Sequence, residues 1–149
     1  MRNALLTLVV LLSASSVFAA DEYAIDPVHS MVQFRVKHLG VSYTLGRFNN
    51  PTGKMHIDEA NPKKSSIEVS VKVADVDTND AKRDAHIKGP DFFNGKMFPK
   101  ITFKSTSVKK TGDTEFEVTG DMTLHGVTKT ITVKAEKVGA GKDPWGGYR

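Results

Sequence analysis

Few of the 149 residues could carry covalent chemistry. The five histidines, His29, His38, His56, His86 and His125, fit no H-x-H or HExxH spacing, and only His86 lies on an expected helix with acids and a cation within one turn. Cysteine is absent, which removes thiolate nucleophiles, thiolate metal ligands and disulfides together. No G-x-S-x-G elbow mounts a serine, and no glycine-rich loop precedes a helix to cradle phosphate. The carboxylates that cluster, Asp58 with Glu59 and Asp75 with Asp77 and Asp80, fall where turns and helix caps use acids for structural reasons. The expectation is a protein that is not an enzyme, with no catalytic residue and no metal site. The alternative is a metal protein or enzyme that uses His38, His86 and His125.

Polar and aromatic chemistry meet in one segment, Lys82 to Ser107. Arg83, Asp84 and His86 come first, followed by Phe92, Phe93, Phe98 and Phe103. One reading is structural: an exposed helix whose Asp80 and Asp84 lie near its positive end and pair with Arg83 or Lys88. The other is functional, with Arg83 or His86 meeting the polar end of a ligand at the mouth of a cavity. The phenylalanines admit the same choice between core and cavity. Phe92 and Phe93 are adjacent and cannot both face inward on a strand, which suggests a loop folding over an apolar opening.

The elements that must position these side chains are strands. Val32, Phe34, Val36 and His38 alternate with Gln33, Arg35 and Lys37, the period of a half-buried strand. Tyr43 and Leu45 belong to a second strand, which Gly46 allows to bend, and Met55 and Ile57 to a third. Ile67, Val69, Val71 and Val73 give the cleanest alternation. Ile101, Phe103 and Ser105 follow, then Phe116, Val118, Gly120, Met122 and Leu124. A tight turn at His125-Gly126 leads to Val127, Ile131, Val133 and Ala135. One helix of two to three turns is expected, capped near Thr78 or Asn79 and stopped by Gly89-Pro90. Gly139 to Arg149 is a glycine-rich loop with the only tryptophan, Trp145. The fold class is therefore all-β, with about six or seven antiparallel strands and one short helix. Long strands and the bend at Gly46 favour a barrel over a sandwich.

Residues 1–19 read as a removable export signal: Arg2, the apolar run Ala4 to Leu12, and a small-residue cleavage site at Val17-Phe18-Ala19. That run is too short to span a bilayer, which takes about 20 residues. Residues 20–149 suit one domain, soluble and without a transmembrane segment, in the periplasm or outside the cell. The formal net charge of +4 is spread over strands and turns, so no nucleic-acid partner is expected.

The order and spacing of YAIDPVHS (Tyr23 to Ser30), FRVKHLGV (Phe34 to Val41), the Arg83 to His86 segment with Asp91-Phe92-Phe93, FPKITFKSTSV (Phe98 to Val108) and TGDMTLHGVTK (Thr119 to Lys129) resemble the YceI-like proteins. These are secreted or periplasmic lipid-binding proteins of bacteria. The resemblance implies an eight-stranded lipocalin-like antiparallel β-barrel holding a polyisoprenoid, quinone-like lipid or similar long-chain amphiphile, for transport, storage or stress response. It implies no other cofactor, and a homodimer stays open. Combined with the alternation, it makes Phe34, Val36, Tyr43, Val71, Phe103 and Met122 tunnel candidates, places His38, Arg83 and His86 at the mouth, and sets Phe92 and Phe93 over the tail. In similar proteins the segment matching Asp143 to Arg149 is followed by closing strands. A barrel without them should expose two edges and self-associate. A structural or adhesive module would instead show a filled core and no tunnel.

Overall fold

The computed structural model of the chain describes residues 21–149, so the expected export signal lies outside the described residues. In chain order the elements are β1 (Asp21–Ala24), β2 (Val32–His38), β3 (Ser42–Phe48), β4 (Thr52–Ile57), β5 (Ser66–Lys72), β6 (Val76–Asp77), α1 (Ala81–Ile87), β7 (Lys100–Lys110), β8 (Glu115–Leu124) and β9 (Val127–Glu136). The described residues thus hold nine strands rather than six or seven. The excess comes from β1 and β6, which are too short to show alternation. Six strands form one sheet in the order β1-β4-β5-β7-β8-β9, and β2-β3-β6 form a second. The fold is all-β and antiparallel with one α-helix, and the two sheets do not close into a barrel. β1 and β9 are the free edges of the larger sheet.

Strand register sorts the larger sheet into two unlike faces. Phe103 stands opposite Val69 and Met122, Val108 opposite Val118, and Val118 opposite Val133. The other face is polar, with ion pairs Lys54–Glu22 at 2.6 Å and Lys104–Glu68 at 2.7 Å. Threonine hydroxyls join β8 to β9 there, Thr119 to Thr132 at 2.9 Å and Thr123 to Thr128 at 2.8 Å. A bulge between Ser105 and Ser107 breaks the alternation of β7 and lets Val108 rejoin the apolar face. The β8–β9 turn uses left-handed His125 (φ 51°) and Gly126 (φ 73°), the two positive angles that a tight hairpin of this twist needs.

The largest buried cluster lies at one end, and Val108 and Val118 are buried apart from it. Phe48, Val71, Val73, Val76 and Ile101 are buried together, with Phe34, Ile87, Phe93 and Met122 packed against them. Phe48 is the ring where the sheets meet, 5.4 Å from the centroid of Phe34 and 5.3 Å from that of Phe93, the latter edge-on. Phe34 lies over Gly46, where an added Cβ would stand 2.4 Å from the ring. Gly46 therefore serves close approach rather than the bend expected of it.

The helix cap is Asp80, not Thr78 or Asn79: its carboxylate accepts from the Arg83 amide at 2.7 Å. Asn79 is left-handed (φ 64°) and turns the chain into the cap. Thr78 is buried and donates both its amide and its hydroxyl to Asp84, at 2.8 and 2.6 Å. Phe48→Ala removes the ring shared by both sheets, with an expected cost of about 3–5 kcal/mol. Urea unfolding measures it, and a loss below about 1 kcal/mol would show that Phe48 does not join the sheets.

Candidate functional site

The opposite end of the apolar face, beyond the β7 bulge, is open. A groove of about 400 Å³ lies there, lined by Tyr23, Met55, Ile57, Ile67, Val108, Phe116, Val118 and Ala135, with Val138 to Ala140 along one side. These are the inward positions of β1, β4, β5, β7, β8 and β9, supplied by the same alternation that builds the core. Charged residues share the lining, among them Asp58, Lys110 and Asp113, and Lys137 pairs with Glu59. The hydrogen bond and charge of Lys137 hold the Glu59 carboxyl below its ordinary range. Desolvation against the sheet pushes the Tyr23 phenol up. The groove offers apolar contact and exclusion of water. The lining serine, Ser65, is engaged locally and accepts the Asp58 amide at 3.0 Å.

After β9 the chain folds over this end as a strap. The Lys137 amide donates to the Thr114 carbonyl at 2.8 Å, and Gly141 and Arg149 exchange backbone hydrogen bonds of 2.7 and 2.8 Å. Asp143 gathers the loop, accepting from the amides of Trp145 and Gly147 and from Arg149 Nε, at 2.9, 2.8 and 2.9 Å. Arg149 also donates to Asp26, which accepts from His29 Nδ1 at 2.8 Å and from the Val28 amide at 2.9 Å. His29, then the Val28 amide, then Arg149 hold the Asp26 carboxyl well below its usual range. The guanidinium thus ties the strap to the loop after β1, beside the ring pair Tyr23–Tyr148.

None of the eleven residues expected to touch ligand lines this groove. Val71 is buried in the core, with Phe34, Phe93 and Met122 packed around that cluster, and Phe103 opposes Met122 on the same apolar face. Tyr43 is corrected outright: register pairs it with Lys37 on the outward face, where Arg35 lies 4.6 Å from its ring. The cause is the turn. His38 pairs with Ser42 across three residues, so even-numbered Thr44 and Gly46 share the face of Phe34 and Val36.

The expected mouth of His38, Arg83 and His86 does not assemble. His38 ends β2 at the hairpin tip, while β6 and the start of α1 adjoin Phe48 at the hairpin's other end. Seven residues of strand at about 3.3 Å each separate the two. Arg83 is spent locally, donating from Nε to the Thr78 hydroxyl at 2.8 Å and from its terminal nitrogen to the Thr78 carbonyl at 2.6 Å. The structural reading expected Asp80 or Asp84 to pair with Arg83 or Lys88; the side-chain partner of Arg83 is Thr78, and Asp84 also binds Thr78. His86 stands edge-on to Phe92, 4.9 Å between centroids, and Phe92 is half exposed while Phe93 plugs the core. Among the described residues no three His, Cys, Asp or Glu side chains come together as a metal set.

The residues that reasoning from sequence missed, Met55, Ile57, Ile67, Val108, Phe116, Val118 and Ala135, mostly sat in its alternating runs. What alternation does not say is which end of an apolar face another element covers. Here Phe48 and Phe93 fill one end and leave the other.

Two antiparallel sheets over a shared apolar face, with a helix and aromatic loop plugging one end, define a barrel-type all-β fold. The chain belongs to the YceI-like family, whose domain model matches residues 23–146. It is 47% identical to Protein YceI of Escherichia coli O157:H7 over 142 residues, covering 94% of this chain and 73% of that one. A crystal structure of a Campylobacter jejuni YceI protein superposes with a TM-score of 0.66 at 33% identity, covering 86% of this chain and 75% of that one. A polyisoprenoid-binding domain from Saccharophagus degradans shares the fold at 15% identity, with a TM-score of 0.57 and coverage of 77% and 66%.

Asp26→Asn should loosen the strap, seen as faster amide exchange at Gly141 and Arg149. Because the Asp26 carboxyl is held below its ordinary value, its contribution is complete above about pH 4 and is lost as pH falls through the lowered value. Protection factors for the two amides should stay level from pH 7 to about 4 and fall only below that. A decline starting near pH 6 would assign the latch to another group.

Proposed function

We propose that the chain binds a long-chain amphiphile of the polyisoprenoid class along the apolar face of the larger sheet, as a periplasmic carrier or store. The observation that carries this reading is the groove itself, a cavity whose strand-borne lining from Tyr23 to Ala135 is mostly apolar, with charged residues at the strand ends and in the adjoining loops. At about 400 Å³ it falls within the range of roughly 300–1,000 Å³ for small-molecule pockets. At about 30 Å³ per water-sized group it holds around a dozen heavy atoms, less than a long prenyl tail. The remainder of such a tail would lie along the exposed inward positions of β8 and β9, Leu124, Val127 and Val133. Each methylene taken from water contributes about 0.8 kcal/mol, so affinity grows with chain length and needs little from the head.

The shared fold with a domain described as polyisoprenoid-binding supports the choice of ligand class. Periplasmic carriage follows from the export signal read in residues 1–19. Among the described residues no helix is long and apolar enough to cross a membrane.

The test is binding of a fluorescent prenyl probe, with native mass spectrometry of protein purified from its host. Binding should tighten as the prenyl chain lengthens. Ala135→Trp, which fills the groove from β9, should weaken binding at least about tenfold while leaving the melting temperature nearly unchanged. A protein that takes up no prenyl compound, or whose affinity ignores both chain length and Ala135→Trp, defeats the proposal.

A further inference from the structure

The β2–β3 hairpin carries an exposed apolar tip that the core does not use. Leu39 is 84% and Val41 83% exposed, and Leu45 on the outward face is 69% exposed. The turn is fixed: Leu39 (φ 50°) and Gly40 (φ 78°) are left-handed, and the Val41 amide donates to the His38 carbonyl at 3.0 Å. Outward-facing register sets Arg35 opposite Leu45 and Lys37 opposite Tyr43. From Val32 to Asn50 there is no acidic side chain. Arg47 is held by Asp77 at 2.9 Å, whereas Arg35, stacked on the Tyr43 ring at 4.6 Å, and Lys37 have no acidic partner beside the tip among the described residues.

We infer that this tip is a docking element for an anionic lipid bilayer. Two aliphatic side chains on a rigid turn reach past the headgroups, and a tyrosine stands behind them at the depth where amphipathic rings settle. Arg35 and Lys37 then meet lipid phosphates, their stems lying against apolar surface. The tip is far smaller than the roughly 800 Å² per partner of a stable protein interface, whereas a bilayer needs only a small apolar wedge with cations behind it. The inference does not depend on what the groove holds.

The experiment is co-sedimentation of the full chain with vesicles of phosphatidylglycerol and phosphatidylcholine, against phosphatidylcholine alone, at low and high salt. Anionic vesicles should bind at least about tenfold tighter at low salt, and the preference should shrink as salt rises. The pair Leu39→Asp and Val41→Asp should abolish binding with an unchanged far-ultraviolet circular dichroism spectrum. Arg35→Glu with Lys37→Glu should erase the preference for anionic lipid, at about fivefold or more per charge. Trp145→Ala, at the other strongly exposed aromatic, should change nothing. Absence of binding to anionic vesicles, or binding lost with Trp145→Ala and kept in the tip variants, overturns the inference. So do tip variants that alter the sedimentation of the lipid-free protein, which would make the tip a contact between copies.

Discussion

A six-stranded sheet with one apolar face cannot leave that face to water, and what covers it decides everything else in this molecule. The lid on one end is a small second sheet, whose Phe48 reaches the larger sheet at Val71 and Ile101. The rings of Phe34 and Phe93 complete the seal, and α1 contributes Ile87. The other end has only a strap of chain held by Arg149 between Asp26 and Asp143. Burial at the first end stabilises the fold. Incomplete burial at the second leaves a groove.

The two coverings rest on different physics. Apolar packing around Phe48 is indifferent to salt and acid within the ordinary range. The strap depends on hydrogen bonds and charge pairs at exposed positions, which salt screens and which contribute little to global stability. A cover of that kind opens locally at small cost while the remainder of the sheet stays folded.

Much of the fold was legible in the sequence, because apolar alternation marks the strands β2, β5, β8 and β9, and in β5 and β8 it images a buried face. The His125-Gly126 turn was legible because its positive φ at Gly126 favours one residue type, and Gly89 ends α1 with its amide on the His86 carbonyl. The candidate site was not. Tyr43 was misplaced since apolar character was read in place of parity, and parity across a hairpin depends on the number of residues in its turn. Arg83 and His86 looked functional by composition, but a helix of seven residues uses its arginine to hold Thr78. The groove escaped notice because its walls are ordinary strand residues, two of which, Val108 and Val118, are as buried as the core.

The bulge at Ser105 to Ser107 gives this arrangement a further property. It stands between Ile101 of the packed end and Val108 of the open end, and by bending β7 it separates two neighbourhoods that share a sheet but few side-chain contacts. Substitutions in neighbourhoods without shared partners have additive effects on stability. Exposed positions of the open end can therefore change with little effect on the packing around Phe48. The bulge acts as a mechanical boundary between the packing around Phe48 and the walls of the groove.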